Sequence, residues 1–191
     1  MKNTVPVGIS ARHVFLSQDH IDFLFGDGYE LTNVKELTQP GLFSADETVD
    51  IRSDTGETIE KVRIVGPAVP RTIVVISQSD VVRYHLEAPV RVLDDIDYSG
   101  SCYIVGPKGE LRISEGVIIQ QRHIHFSLDD AKEYGVENGQ IVKIKVNGVK
   151  GGIMDNVVCF VGFNQKLDFH VDIDDADAFL LNQGDIVEII K

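Results

Sequence analysis

Apolar and polar residues alternate, or gather in short β-branched runs, over 5–9, 48–51, 58–65, 72–76, 103–105, 116–119, 140–146, 156–162, 167–173 and 185–190. Successive side chains of an extended chain point to opposite faces, so each run predicts a strand. Glycine and proline separate the runs at Gly56, Gly66-Pro67, Gly106-Pro107, Gly109, Asn147-Gly148, Gly151-Gly152 and Gly184. Asn147-Gly148, lying between two such runs, is a hairpin cue. Helical signals are short. Ser17 ahead of 18–25 and Ser127 ahead of 128–134 each supply an N-cap and an acidic first turn, and 174–181 reads as a third helix.

The strands carry an internal repeat. Ala11-Arg12-His13-Val14-Phe15-Leu16-Ser17 resembles Gln121-Arg122-His123-Ile124-His125-Phe126-Ser127. In both copies an apolar run precedes the motif and a capped acidic helix follows it. A second echo pairs 62–66 and 74–76 with 157–162 and 169–171, which sets Val75 against His170. A third relates 139–144 to 184–189. Together they predict a mainly β fold of two related β-barrel domains with short capping helices, duplicated about a pseudo-twofold. The expected division is 1–118 for the first barrel half and 119–191 for the second, with the strand over 4–10 open to either barrel.

Charge narrows the partners. The chain of 191 residues has a net charge of −12, which repels nucleic acid and anionic membrane. An anionic substrate therefore needs a local positive feature, a metal or a few arginines. No run is long enough to cross a bilayer and no signal segment opens the chain, so a cytoplasmic protein is expected. Cys102 and Cys159 are the two cysteines. Neither lies in a cysteine motif, and Cys159 within an apolar run reads as core. Phosphate-cradling glycine fingerprints are absent, and the acidic stretch 172–177 reads as a solvated helix start rather than a calcium loop.

Six histidines remain to be placed. His20 and His85 sit in polar surroundings and read as surface residues. His123 and His125 alternate on one strand face, an arrangement that serves either to grip a divalent ion or merely to pack. His13 stands at the repeat position of His123. His170 shares a strand face with Asp168 and Asp172, either as a solvated residue or as a third ligand.

The segments Val7-Gly8-Ile9-Ser10-Ala11-Arg12-His13-Val14, Gln39-Pro40-Gly41-Leu42-Phe43-Ser44-Ala45-Asp46-Glu47-Thr48-Val49, Val65-Gly66-Pro67-Ala68, Gly116-Val117-Ile118-Ile119 through Arg122-His123-Ile124-His125, Asp155-Asn156-Val157 and His170-Val171-Asp172-Ile173-Asp174 carry a family likeness. Over nearly the whole chain the sequence resembles the phosphate propanoyltransferase family, the propanediol-utilisation type of phosphotransacylase. The resemblance implies paired β-barrels and reversible transfer of an acyl group between coenzyme A and phosphate. It implies two metal ions, normally zinc, at the junction of the barrels. Carried over by position, one metal would use His13, position 15 and His170, and the other His123, His125 and position 75. Ser10, Ala11 and Arg12 fall where coenzyme A is bound. Many members begin with a segment that directs them to a microcompartment, and none is evident here.

Three positions depart from that pattern. The second histidine of the first copy is Phe15, the family's glutamate is Val75, and an arginine used near phosphate is Val69. Arg71, two residues on, could share a strand face with position 69 and partly compensate. Arg12, Arg122 and Arg71 are thus the candidates to place an anion, with surface charge as the plainer account of the first two. The expected ligands for zinc or another divalent metal are His13, His123, His125 and His170, and acyl-CoA and phosphate are the expected small-molecule partners. A homo-oligomer is compatible with the sequence. Three functions stand open: an acyltransferase with weakened activity, a silenced or divergent relative that binds coenzyme A or metal, and a β-barrel metal-binding module outside the family.

Overall fold

A computed structural model describes residues 2–191. Its first strands are β1 (Thr4–Ser10), β2 (His13–Phe15), β3 (Asn33–Glu36), β4 (Phe43–Arg52), β5 (Thr58–Gly66), β6 (Ile73–Val75) and β7 (Val90–Arg91). They continue as β8 (Gly100–Gly106), β9 (Gly109–Gln120), β10 (His123–Phe126), β11 (Ile141–Val146), β12 (Gly152–Val161), β13 (Asp168–Asp172) and β14 (Ile186–Ile190). The helices are α1 (Gln18–Phe25), α2 (Gln78–Tyr84), α3 (Leu128–Tyr134) and α4 (Ile173–Phe179). None is long and apolar enough to cross a membrane. The mainly β expectation holds.

The chain forms two compact units, Met1–Ala11 with Thr38–Pro40 and Gln121–Lys191, and Arg12–Leu37 with Gly41–Gln120. In the first unit, β1-β13-β10-β12-β11-β14 close a barrel. In the second, β4-β5-β2-β6-β9 closes through β8, which pairs with both β9 and β4. Strand directions match around the two circuits. β10 runs parallel to β12 and antiparallel to β13, as β2 runs parallel to β5 and antiparallel to β6. β13 is parallel to β1 as β6 is parallel to β9.

The repeat thus describes two barrels of one design. Each Arg-His strand follows a strand that closes the other unit's barrel: β1 precedes Arg12-His13 and β9 precedes Arg122-His123. The third echo has a different origin, because β11 and β14 lie side by side in a single barrel.

Alternation decides what fills each barrel. Ile124, Phe126, Phe169 and Val171 join the first core, and Val14, Leu16, Val74 and Ile76 join the second. Each large side chain so buried contributes about 1.5–3 kcal/mol. The residues between them, His123, His125 and His170 in one unit and His13, Phe15 and Val75 in the other, face away from those cores.

Helix starts follow local chemistry. Ser17, Ser77, Ser127 and Asp172 are N-caps whose side chains accept backbone N–H groups of the first turn. α2 lies outside the expected helices, although Ser77 and Asp80 form a reciprocal capping box that its sequence announces. Asp172 starting α4 bears out the helix-start reading of the acidic stretch. β11 and β12 pair antiparallel around Asn147-Gly148, joined by the loop 147–151.

Candidate metal centre

β10 and β13 are antiparallel neighbours in the first unit, and their register sets His123 opposite His170 and His125 opposite Asp168. Three imidazoles therefore share one face. Their candidate ligand nitrogens all lie within 4.8 Å of one another. Ring centroids are 4.7 Å apart for His123 and His125, 5.0 Å for His123 and His170, and 4.9 Å for His125 and His170. Phe160, on β12, packs on His123 and His125 at 5.2 and 5.9 Å.

Hydrogen bonds fix part of the proton inventory. His123 Nδ1 lies 2.8 Å from the carbonyl oxygen of Gln121. A carbonyl only accepts, so Nδ1 carries the proton and Nε2 keeps its lone pair. That Nε2 lies 3.1 Å from His125 Nε2. Burial, reinforced by the neighbouring His170, pushes His125 down to about 4, while Gln165 and Asp168 pull the other way. The ring is neutral at pH 7, the form that ligates a metal. His170 Nε2 lies 3.0 Å from Asp168 Oδ2.

Among the described residues, two buried side-chain atoms lack a hydrogen-bond partner: His125 Nδ1 and Gln165 Oε1. An unsatisfied buried polar group costs about 1–3 kcal/mol. If His125 gives the Nε2 lone pair to an ion, Nδ1 becomes a donor and Gln165 offers the matching acceptor. The loop carrying Gln165 is pinned by Gln39, whose side-chain amide donates to the Lys166 carbonyl at 2.8 Å and accepts the Lys166 N–H at 3.0 Å. Converging imidazoles, one buried and two half-buried, suit zinc or a similar borderline ion.

Beneath the site, Gly8 pairs with His170 across β1 and β13. A Cβ there would lie 2.9 Å from both Asp168 oxygens and 2.9 Å from His170 Cδ2, so glycine leaves the space they fill. Sequence reasoning placed Asp168 on the histidine face but assigned it no partner. The Asp-x-His spacing was its signal. Gln165 and Gln121 gave none.

His170 groups with His123 and His125 within one unit, whereas the resemblance joined it to His13. In the second unit, His13 lies opposite Val75 and stacks edge-on against Phe15 at 5.2 Å. Phe15 and Val75 belong to a separate apolar cluster with Val65, Ile73, Ile96 and Ile118, against which Leu42, Leu93 and Val69 pack.

The three candidate arginines are all paired with carboxylates. Arg12 pairs with buried Asp80 at 2.9 Å, and Arg122 makes two contacts with Asp175 at 2.7 and 2.5 Å. Asp80 and Asp175 stand at equivalent places in the first turns of α2 and α4. Arg71 is exposed and held by Asp97 at 2.8 Å and Glu115 at 2.7 Å, while Val69 packs on the apolar cluster. Ser10 ends β1 opposite Asp172, and Ala11 is exposed. His20 is half-buried and bonds Thr72 Oγ1 at 2.7 Å, which corrects its reading as a surface residue. Both cysteines are buried, and burial raises Cys102 to about 12 and Cys159 to about 11.

Comparison with known proteins bears on this arrangement. The family model described as phosphate propanoyltransferase matches residues 6–182. A phosphate propanoyltransferase of Thermotoga maritima is 46% identical over 97% of this chain and 88% of its own length. One of Priestia megaterium is 45% identical over 96% of this chain and 84% of its own, and one of Listeria monocytogenes 36% identical over 100% and 89%. With matched barrels, duplicated Arg-His strands and likeness along its whole length, the chain belongs to the phosphate propanoyltransferase family of acyltransferase enzymes.

Proposed function

We propose that this protein transfers a short acyl group between coenzyme A and phosphate, using one divalent ion, zinc or similar, held by His123, His125 and His170. The observation that carries this is the convergence of three imidazoles, at least one of them held neutral by burial, in a chain of this family. Bound there, such an ion would supply Lewis acidity toward a thioester carbonyl and affinity for the departing thiolate.

The chain's own groups account for the rest. Arg122, adjacent to His123, has its guanidinium oriented by Asp175 and by the Asp155 carbonyl, to which Nη1 donates at 3.2 Å, so one N–H on each of Nη1 and Nη2 is left for an anion. Arg12 makes a single ion pair with Asp80, and with Ser10 and Ala11 it forms the proposed coenzyme A contact. Phe160 shields the histidines from water on one side. A covalent acyl-cysteine is disfavoured, since both thiols are buried with raised pKa values. Direct attack of phosphate on the thioester is therefore the favoured route.

The test is thiol release from propanoyl-CoA in the presence of phosphate, measured on zinc-replete protein. Slow, phosphate-dependent release that disappears in His123→Ala is the expected result. Coenzyme A binding without turnover would instead mark a divergent binding protein.

A further inference from the structure

We infer that Asp168 is a positioning residue for the metal centre: its carboxylate holds the His170 proton on Nε2, which leaves Nδ1 as the ligand atom of that ring. The inference rests on the metal reading above and specifies how the site is assembled.

Asp168 is 3% exposed, and a carboxylate buried to that degree is costly unless it is hydrogen-bonded and faces positive charge. Its Oδ2 lies 3.0 Å from His170 Nε2. A carboxylate oxygen accepts, so Nε2 donates to it, and Nδ1 is the ring nitrogen left to ligate. Register fixes the arrangement twice. Asp168 and His170 alternate on one face of β13, and Asp168 lies opposite His125 on β10. Gly8 on β1 leaves the room in which the carboxylate and the ring meet. The Gln121 carbonyl does for His123 the same job with the opposite outcome, protonating Nδ1 and freeing Nε2. The ligand set is therefore mixed, Nε2 from His123 and Nδ1 from His170. Acceptors of this kind orient metal-binding histidines and raise their basicity, and losing one commonly costs about 10–100-fold in metal affinity.

The experiment loads the full chain with zinc and reads its histidine rings by long-range proton–nitrogen NMR, alongside zinc affinity by chelator competition. His170 should be protonated at Nε2 and shifted by zinc at Nδ1. Asp168→Ala should weaken zinc about 10–100-fold, and Asp168→Asn, whose carbonyl still accepts, should weaken it less. Zinc on His170 Nε2, or Asp168→Ala binding zinc like the wild type, would overturn the inference while leaving the metal reading intact. Complete loss of zinc in Asp168→Asn would make Asp168 a direct ligand and overturn it too. If the alanine variant does not fold, the wild-type ring assignment alone decides. A wild type that takes up no zinc removes the metal reading itself.

Discussion

The two barrels present the same strand face with opposite chemistry. Where the first unit has His125, His170, Asp168, Phe160 and Gly8, register places Phe15, Val75, Ile73, Val65 and Ile118 in the second. Only His13 matches its counterpart, His123. At one position the exchange is reversed, Arg63 standing where the first unit has Val158. The first face holds a buried carboxylate and converging imidazoles, groups that are expensive to bury without a cation. The second is mostly an apolar cluster, which adds burial energy. A duplicated fold can thus keep a site in one copy and convert the other to packing, because the barrel cores lie behind both faces and are untouched by the exchange.

The sharpest way to break this comparison is to remove corresponding histidines. His123→Ala should lower turnover at least about 100-fold, the order of effect expected for an interaction worth about 3 kcal/mol in the transition state. His13→Ala should cost far less. Equal losses would mean that the second face still serves the reaction.

The next largest effect is on stability. Phe15→His introduces an imidazole into the apolar cluster and should lower unfolding free energy by about 2–4 kcal/mol, read by chemical denaturation. Adding Val75→Glu and zinc should reverse part of that loss and create a second metal equivalent, since a ligand at 100 times its dissociation constant stabilises by about 2.7 kcal/mol. If the single substitution proves neutral, the cluster is not packed as described.

Gly8→Ala tests the space beneath the first face. Its methyl group would collide with Asp168 and His170, so zinc affinity should fall about tenfold with the fold retained. The corresponding residue in the second unit, Ile118, is fully buried. The smallest effect is expected at Arg71. Its two carboxylate partners lie on an exposed surface, where such pairs are worth about 0–1 kcal/mol, so Arg71→Ala should leave turnover within about threefold.

Much of this contrast was legible in the chain. The repeat aligned His13 with His123 and Val75 with His170, and the strand registers give those equivalences. Alternation placed His123 and His125 on one face. The pairing of strands was not legible, because local pattern does not name a strand's partner: β1 pairs parallel with β13 across most of the sequence. For that reason His170 read either as a solvated residue or as a third ligand beside His123 and His125, and the register of β10 and β13 sets it opposite His123. Of the two aspartates that hold the arginines, Asp175 lay in a stretch read only as a helix start, and Asp80, three residues after the N-cap Ser77, lay outside the expected helices. Gln165 had no signal, since a loop residue acquires its role from what the fold brings to it.

Metal content per chain tests the central claim most directly. Purified protein, saturated with zinc and freed of excess, should hold one equivalent. His13→Ala should keep that equivalent and His123→Ala should lose it, both remaining folded. Two equivalents in the wild type, or one that survives His123→Ala and vanishes in His13→Ala, would contradict the assignment of the site to a single barrel face.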